Sequence, residues 1–265
     1  MENLRAFTIL ILGGGNMGSA IAARWVAAGH PPAHIMVVEP SALRRAALND
    51  LGLVTVAALE DVSVTPDLLL LAIKPQSFAE VKSGLQKRWS DVLVISIMAG
   101  VMLAEIPSTR RARVMPNLPV SLGLGMSVCC APTLSPDDRK KVDDLFTACG
   151  EVAWLEDEKQ FHAVTAISGS GPAYLFSFME AFEAAARTLG LEANLAHQLV
   201  TQTLRGSVAM ASAPQADVAL LRAQVTSKGG TTEAALEFLY QPLQPLLKQA
   251  VHAAAERSLA LTKSA

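Results

Sequence analysis

The sequence predicts an α/β domain, a doubly wound sheet with helices on both faces, followed by an all-α domain. Three observations carry that prediction. Short continuous apolar runs alternate with helical patterns through residues 1–157, a glycine cluster follows the first apolar run, and residues 158–265 are almost wholly rich in Ala and Leu at helical spacing.

The first strand is expected over residues 7–12, a continuous apolar run of the kind buried on both faces of a parallel sheet. A helix over 16–29 ends at Gly29, a second strand covers 35–39, and a helix over 42–51 stops at Gly52. Strands over 68–73 and 92–97 flank a helix over 78–88. Residues 113–115 and 126–130 extend the sheet, a helix over 136–146 opens with Asp137 and Asp138 in its first turn, and 151–155 forms the last strand. The second domain reads as helices over 173–188, 195–210, 218–224, 232–239 and 243–261. Several of these carry few charges on any face, so solvent cannot cover them all round, and pairing with a second subunit is the simplest way to bury the remainder.

The composition narrows the function classes. With 51% hydrophobic residues in 265, the chain can bury a large core. No run reaches the roughly 18 apolar residues of a membrane span, since Gly100, Glu180 and Glu183 interrupt the longest candidates. A formal net charge of -2 with mixed signs offers no basic field for nucleic acid or anionic lipid. Arg110, Arg111 and Arg113 form a local cluster read mostly as a solvated edge. Cys129, Cys130 and Cys149 show no metal or disulfide spacing and read as buried thiols. The first apolar segment runs into glycines instead of a cleavage site, so a cytoplasmic location is expected.

The chemistry begins at Gly13-Gly14-Gly15-Asn16-Met17-Gly18, a GxGxxG pattern directly after a strand and opening a helix. Gly13 permits the tight turn, Gly15 lets a pyrophosphate approach the backbone, and Gly18 lets helix and strand pack closely. The positive helix start, through Asn16 and Met17, then holds phosphate. Glu39 follows about twenty residues on, where an acid binds a ribose 2′-hydroxyl. Together these residues read as a Rossmann-type site for NADH or NADPH, the alternative being a glycine-rich turn with no ligand. Glu39 favours NADH being usable, whereas Ser41, Arg44 and Arg45 could accommodate a 2′-phosphate. Ala72, Lys74 and Pro75, with Ala99 and Gly100, lie at the carboxyl ends of later strands, where ligands of open α/β sheets bind. Lys74 reads either as a phosphate or ribose contact or as a solvated lysine before a turn.

No Ser-His-Asp set is visible, and the five histidines are scattered. Ketone reduction needs a proton donor for the forming alkoxide. Ser168-Gly169-Ser170-Gly171-Pro172 resembles the corresponding segment of hydroxyacid dehydrogenases, which carry a catalytic lysine one turn later; here that turn is Ala173-Tyr174-Leu175-Phe176. A cyclic imine can bind already protonated, as an iminium, and then hydride transfer needs no strong acid nearby. The segment Thr226-Ser227-Lys228-Gly229-Gly230-Thr231-Thr232 offers backbone N–H groups and hydroxyls to a carboxylate, and reads equally as a helix cap made by Thr231 or Thr232.

Residues 113–119 (Arg-Val-Met-Pro-Asn-Leu-Pro), 166–174 and 226–232 resemble successive signatures of the pyrroline-5-carboxylate reductase family. With 13–18 and 72–75 they occur in family order across nearly the whole chain. The resemblance implies reduction of 1-pyrroline-5-carboxylate to proline with NADPH or NADH, a helical dimerisation domain, and a homo-oligomer built from dimers with the substrate site at the dimer interface. It places Ser227, Gly229, Gly230 and Thr231 in the carboxylate loop and makes Thr232 the hydroxyl residue near the substrate nitrogen or carboxylate, the candidate catalytic residue. Lys228 stands where the family usually has proline, and Glu39 is unusual beside a frequent NADPH preference. A reductase of another small cyclic imine or of a hydroxy acid, and a non-catalytic NAD(P)-sensing protein, are the competing readings.

Overall fold

The computed structural model describes residues 7–262. The chain divides into two compact units, one running to Ser170 and regaining the chain from Ala254 onward, the other Gly171–Ala253.

The first unit is built on one eight-stranded sheet in the order β3-β2-β1-β4-β5-β6-β7-β8. Its strands are β1 (Ile9–Leu12), β2 (Ile35–Val38), β3 (Val54–Val56), β4 (Leu68–Leu71), β5 (Leu93–Ser96), β6 (Arg111–Met115), β7 (Gly125–Cys130) and β8 (Gly150–Leu155). Helices α1 (Asn16–Ala27), α2 (Ala42–Asn49), α3 (Pro75–Trp89) and α4 (Pro136–Thr147) lie between strands. The order reverses direction at β1, and that switch point is where an open sheet of this kind leaves a crevice at its carboxyl edge.

Alternation along β1 shows why the run had to be apolar throughout. Ile9 and Ile11 enter one core cluster with Trp25 of α1 and Phe146 of α4. Leu10 and Leu12 enter the other with Phe78, Leu85 and Trp89 of α3. A strand sends successive side chains to opposite faces, and here both faces are covered by helices. The indole N–H of Trp25 donates to the Leu145 carbonyl (2.9 Å), so the large ring is buried without an unpaired donor.

Several expectations change. The sheet is not wholly parallel: β6 and β7 pair antiparallel, with Arg113 opposite Cys130, because the short stretch 116–124 turns the chain straight back. The short edge strand β3, whose Val54 is exposed, was not foreseen, since three residues give too little alternation to read. The helices expected at 232–239 and 243–261 are one helix, α9 (Thr231–Thr262), running through Pro242 and Pro245. Each proline removes one backbone donor and crowds the carbonyl four residues back, which is why the local pattern suggested a break there.

The arginine cluster is not a solvated edge. Arg113 is buried and pairs with Glu158 (2.9 Å), with the Phe161 ring 4.6 Å from its guanidinium carbon. Glu158 also accepts from the Leu103 N–H (3.0 Å), joining β6, the turn after β5 and the segment beyond β8. Alternation puts Arg113 on an inward face, and only a partner carboxylate makes that tolerable. Arg110 grips Asp138 through Nε and Nη2, both at 2.7 Å, and Lys141 adds a third contact at 2.8 Å.

The thiols of Cys129, Cys130 and Cys149 are buried. Burial pushes Cys130 up to about 11, Cys149 up to about 12 and Cys129 higher still, so all three stay protonated and inert at neutral pH.

The second unit consists of α6 (Gly171–Thr188), α7 (Ala193–Ala211), α8 (Val218–Gln224) and α9 up to Ala253. Among its described apolar residues only Ala196 and Val200 are buried. Leu175, Phe176, Phe178, Val208, Phe238 and Leu246 are all exposed.

The Asp138 site yields a stability test. Hydrogen bonds from Arg110 first, then from Lys141, outweigh burial and hold the Asp138 carboxyl at about 2, below its ordinary 3.8. A depressed folded-state pKa contributes stability above the unfolded value and loses it as pH falls. Asp138→Asn should therefore cost about 1–2 kcal/mol at neutral pH, a figure reduced for the partly exposed Arg110. In urea titrations the gap between variant and wild type should close from about pH 4 down to about pH 2; a gap independent of pH would remove the ion pair as its cause.

Candidate active site

The glycine turn after β1 sits at the switch point, and each glycine there has a distinct reason. Gly13 has φ +104°, and a Cβ on it would lie 2.6 Å from the Ala72 carbonyl oxygen at the exit of β4. A Cβ on Gly18 would lie 2.2 Å from the Gly13 oxygen, and one on Gly14 would meet Leu48 at 2.8 Å. Gly13 and Gly18 are demanded by backbone packing, whereas Gly14 is crowded by the side chains of Leu48 and Glu39. Gly15 differs: its φ of -70° suits any residue, and a Cβ there would meet nothing within 4 Å. The space beside Gly15 is the cradle a ligand would fill.

That space opens into a cleft of about 480 Å³. Its walls include Gly13, Gly15, Glu39, Arg44, Ala72 and Lys74. Asn16 is exposed at the start of α1, Met17 packs against the core, and Gly18 lies beneath the turn. Pro75 is the first residue of α3, where its missing N–H costs nothing, and Lys74 precedes it, exposed. Ala99 and Gly100 leave β5 at the same sheet edge. Gly100 has φ +79°, and its open side faces the backbone of Leu261 and Thr262 at the end of α9, 3.5–3.6 Å from a built Cβ.

Glu39 is more committed than its sequence position suggests. It is 6% exposed, and its carboxylate accepts from the Gly14 N–H (3.0 Å) and the Ser41 N–H (2.9 Å). It thereby ties the glycine turn to the end of β2. Arg44 stands 3.9 Å away with its side chain 57% exposed. Arg45 donates instead to the Glu39 and Pro40 carbonyls (2.8 and 2.7 Å), and Ser41 caps α2 by accepting from the Arg44 N–H. Of the basic residues expected around a 2′-group, Arg44 is the one lining the cleft.

In the second unit the 226–232 loop folds on itself. Gly230 N–H donates to the Ser227 carbonyl (3.0 Å), and Gly229 N–H donates to the Glu233 carboxylate (2.6 Å). Helix α9 begins at Thr231, so Thr231 and Thr232 both lie in its first turn. Glu233, reaching back from that turn, was not singled out from sequence; its place just after the glycines is the signal that was available. Of the histidines in helical segments, His162 pairs with Ser258 (3.0 Å) and His197 with Glu183 (2.9 Å).

The glycine geometry separates ligand from fold. Gly15→Ala should cost under about 1 kcal/mol of stability as a poorer helix cap, yet weaken dinucleotide binding about tenfold or more. Gly18→Ala should cost about 1–3 kcal/mol by overpacking. Thermal melts with cofactor titration by fluorescence check both; undiminished binding by Gly15→Ala would exclude the cradle as the pyrophosphate seat.

Comparison with known proteins agrees with this geometry. Residues 158–261 match a family profile described as pyrroline-5-carboxylate reductase dimerisation, and residues 8–100 match one described as NADP oxidoreductase, coenzyme F420-dependent. A pyrroline-5-carboxylate reductase from Pasteurella multocida is 40% identical, the alignment covering 98% of this chain and 99% of that protein. Among solved structures, the pyrroline-5-carboxylate reductase of Coxiella burnetii superposes with a TM-score of 0.89 at 34% identity, covering 96% of this chain and 98% of the other. The Plasmodium falciparum pyrroline carboxylate reductase, solved with NADP bound, gives 0.87 at 29% identity, covering 98% and 99%. With the dinucleotide cradle intact and relatives of this identity matched end to end, the chain belongs to the pyrroline-5-carboxylate reductase family.

Proposed function

We propose that this chain reduces 1-pyrroline-5-carboxylate to L-proline with NADPH or NADH, the last step of proline biosynthesis. The observation that carries the reading is the open cradle at Gly15, in a chain that also has the 226–232 loop and has no lysine in the turn after Pro172. A reduced nicotinamide, when bound, supplies the hydride to the C=N carbon.

The chain's own residues bind and orient. Gly15 admits the pyrophosphate to the start of α1, whose N–H groups and dipole favour negative charge. Ala72, Lys74 and Pro75 line or border the cleft at the exit of β4. Arg44 is placed to meet a 2′-phosphate, and Glu39 to hold the turn while facing the ribose. Ser227, Gly229, Gly230 and Thr231 hold the substrate carboxylate, which competes with Glu233 for the Gly229 N–H, and the Thr232 hydroxyl sits by the substrate nitrogen. Because the imine arrives protonated, the electron pair of the C=N bond falls onto a nitrogen that already carries its proton, and no strong acid is required. This favours an imine over a hydroxy acid.

The second unit supports a homo-oligomer built from dimers. A helical unit with only Ala196 and Val200 buried among its described apolar residues cannot support itself, and the exposed Phe176, Phe178 and Phe238 are of the kind a partner subunit covers. None of the described helices is long and apolar enough to cross a membrane.

The direct test is oxidation of NADH and NADPH with and without 1-pyrroline-5-carboxylate. Substrate-dependent oxidation with release of proline is expected; cofactor binding without turnover would sink the reading. Glu39→Ser should shift the NADPH:NADH ratio of kcat/KM about tenfold toward NADPH. The ratio is the readout because general loosening of the glycine turn would slow both cofactors alike. Thr232→Ala should lower kcat/KM about tenfold or more by removing the hydroxyl; wild-type kinetics would take Thr232 out of the site.

A further inference from the structure

Between α5 (Phe161–Val164) and α6 the helix widens into a π-turn, Thr165–Gly169, closed by the Ser170 N–H donating to the Thr165 carbonyl at 2.8 Å. Its cause is in the sequence. In an α-helix the Ser168 carbonyl would accept from residue 172, but residue 172 is proline, which has no N–H and whose ring crowds that carbonyl. A π-turn relieves the crowding, and such turns inside helices are frequent at functional sites. The Ser168 carbonyl is denied the donor an α-helix would give it at residue 172. It receives one from the Asn117 side chain, whose Nδ2 donates to Ser168 O at 3.1 Å. Asn117 Oδ1 meanwhile accepts from the Met126 N–H at 2.8 Å, which fixes the amide's orientation.

The place of this clamp matters. The π-turn packs at the carboxyl end of β6: a Cβ on Gly169 would lie 3.0 Å from Cε of Met115, the last residue of that strand. β6 runs parallel to β5, and β5 to β4, so Met115 shares the sheet edge that carries the glycine turn. Glu39 at the end of β2 marks the adenosine side of a dinucleotide laid along that edge, which puts the nicotinamide on the side of β5 and β6.

We infer that Asn117 is a positioning residue: by replacing the donor that Pro172 lacks, it fixes the π-turn as the support for the nicotinamide half of the site. The inference rests on the proposed reductase reading for its kinetic arm and not for its structural one. The Asn117 side chain binds nothing that reacts, and its effect passes through the Ser168–Ser170 backbone.

The test is a repair experiment. In the free protein, Asn117→Ala should speed hydrogen exchange of the amides in 167–170. Adding Pro172→Ala returns a donor at residue 172 and should slow that exchange again. In steady-state kinetics Asn117→Ala should lower kcat about ten- to a hundredfold. Dissociation constants for NADPH should change less than twofold to threefold, roughly, because the adenosine side is untouched. The double variant should recover part of the lost kcat. Asn117→Asp, isosteric and still accepting from Met126, sets an acceptor oxygen against the Ser168 carbonyl in place of the donor and should reproduce the kcat loss if Asn117→Ala fails to fold. Unchanged kcat in both single variants would overturn the proposal. So would exchange restored by Pro172→Ala without any return of turnover, which would leave Asn117 merely structural. If the wild type does not reduce 1-pyrroline-5-carboxylate, the reductase reading fails while the exchange measurements still decide the clamp.

Discussion

The close approach of the glycine turn to the exit of β4 governs how α1 and the crevice beside it can be arranged. Gly13 leaves β1 with its Cα against the Ala72 carbonyl, and Gly18 brings α1 down onto the Gly13 oxygen, distances at which no side-chain carbon fits. That contact sets the angle at which α1 leaves the sheet, and so where Trp25 lands against Phe146 and the Leu145 carbonyl on α4. It also leaves the start of α1 opening over the crevice between β1 and β4, with Gly15 as the glycine of the turn where a Cβ would meet nothing within 4 Å. Packing accounts for Gly13 and Gly18 and leaves Gly15 outside it.

Around this contact the polar groups at the sheet edge act mainly as ties. Glu39 spends its carboxylate on the Gly14 and Ser41 N–H groups, binding the turn to the end of β2. Arg113 and Glu158 hold β6 to the turn after β5 from a buried position, an arrangement that would cost several kcal/mol if either partner were removed. Asn117 joins the start of β7 to the π-turn. Catalysis by orientation depends on such bracing, because it loses rate quickly when the reacting atoms drift.

The helical unit follows a different logic. Its length and composition would support a core, yet within one chain its large side chains remain on the surface. Apolar area exposed on this scale is stable only when covered, and covering it with a second copy makes the fold of this unit and the assembly of the enzyme one event.

Much of this was legible from residues alone. The apolar run at β1 had to be buried on both faces, and the glycine turn had to open a helix with Glu39 near it, because each follows from local spacing and chain geometry. The family resemblance at 113–119, 166–174 and 226–232 carried the reaction. What local pattern could not supply were interactions between segments distant in sequence. Arg113 looked like part of a solvated basic cluster until Glu158, 45 residues away, lay beside it, and Pro172 marked a helix start without revealing that Asn117 would complete the turn. The antiparallel return of β7 and the unbroken α9 also escaped, since short strands and proline-bearing helices are decided by what packs against them. Sequence determined the elements and the cofactor motif, whose signals are periodic and local. Tertiary structure alone decided which buried polar groups find partners, because a hydrogen bond or ion pair is satisfied by proximity in space and leaves no period in the chain.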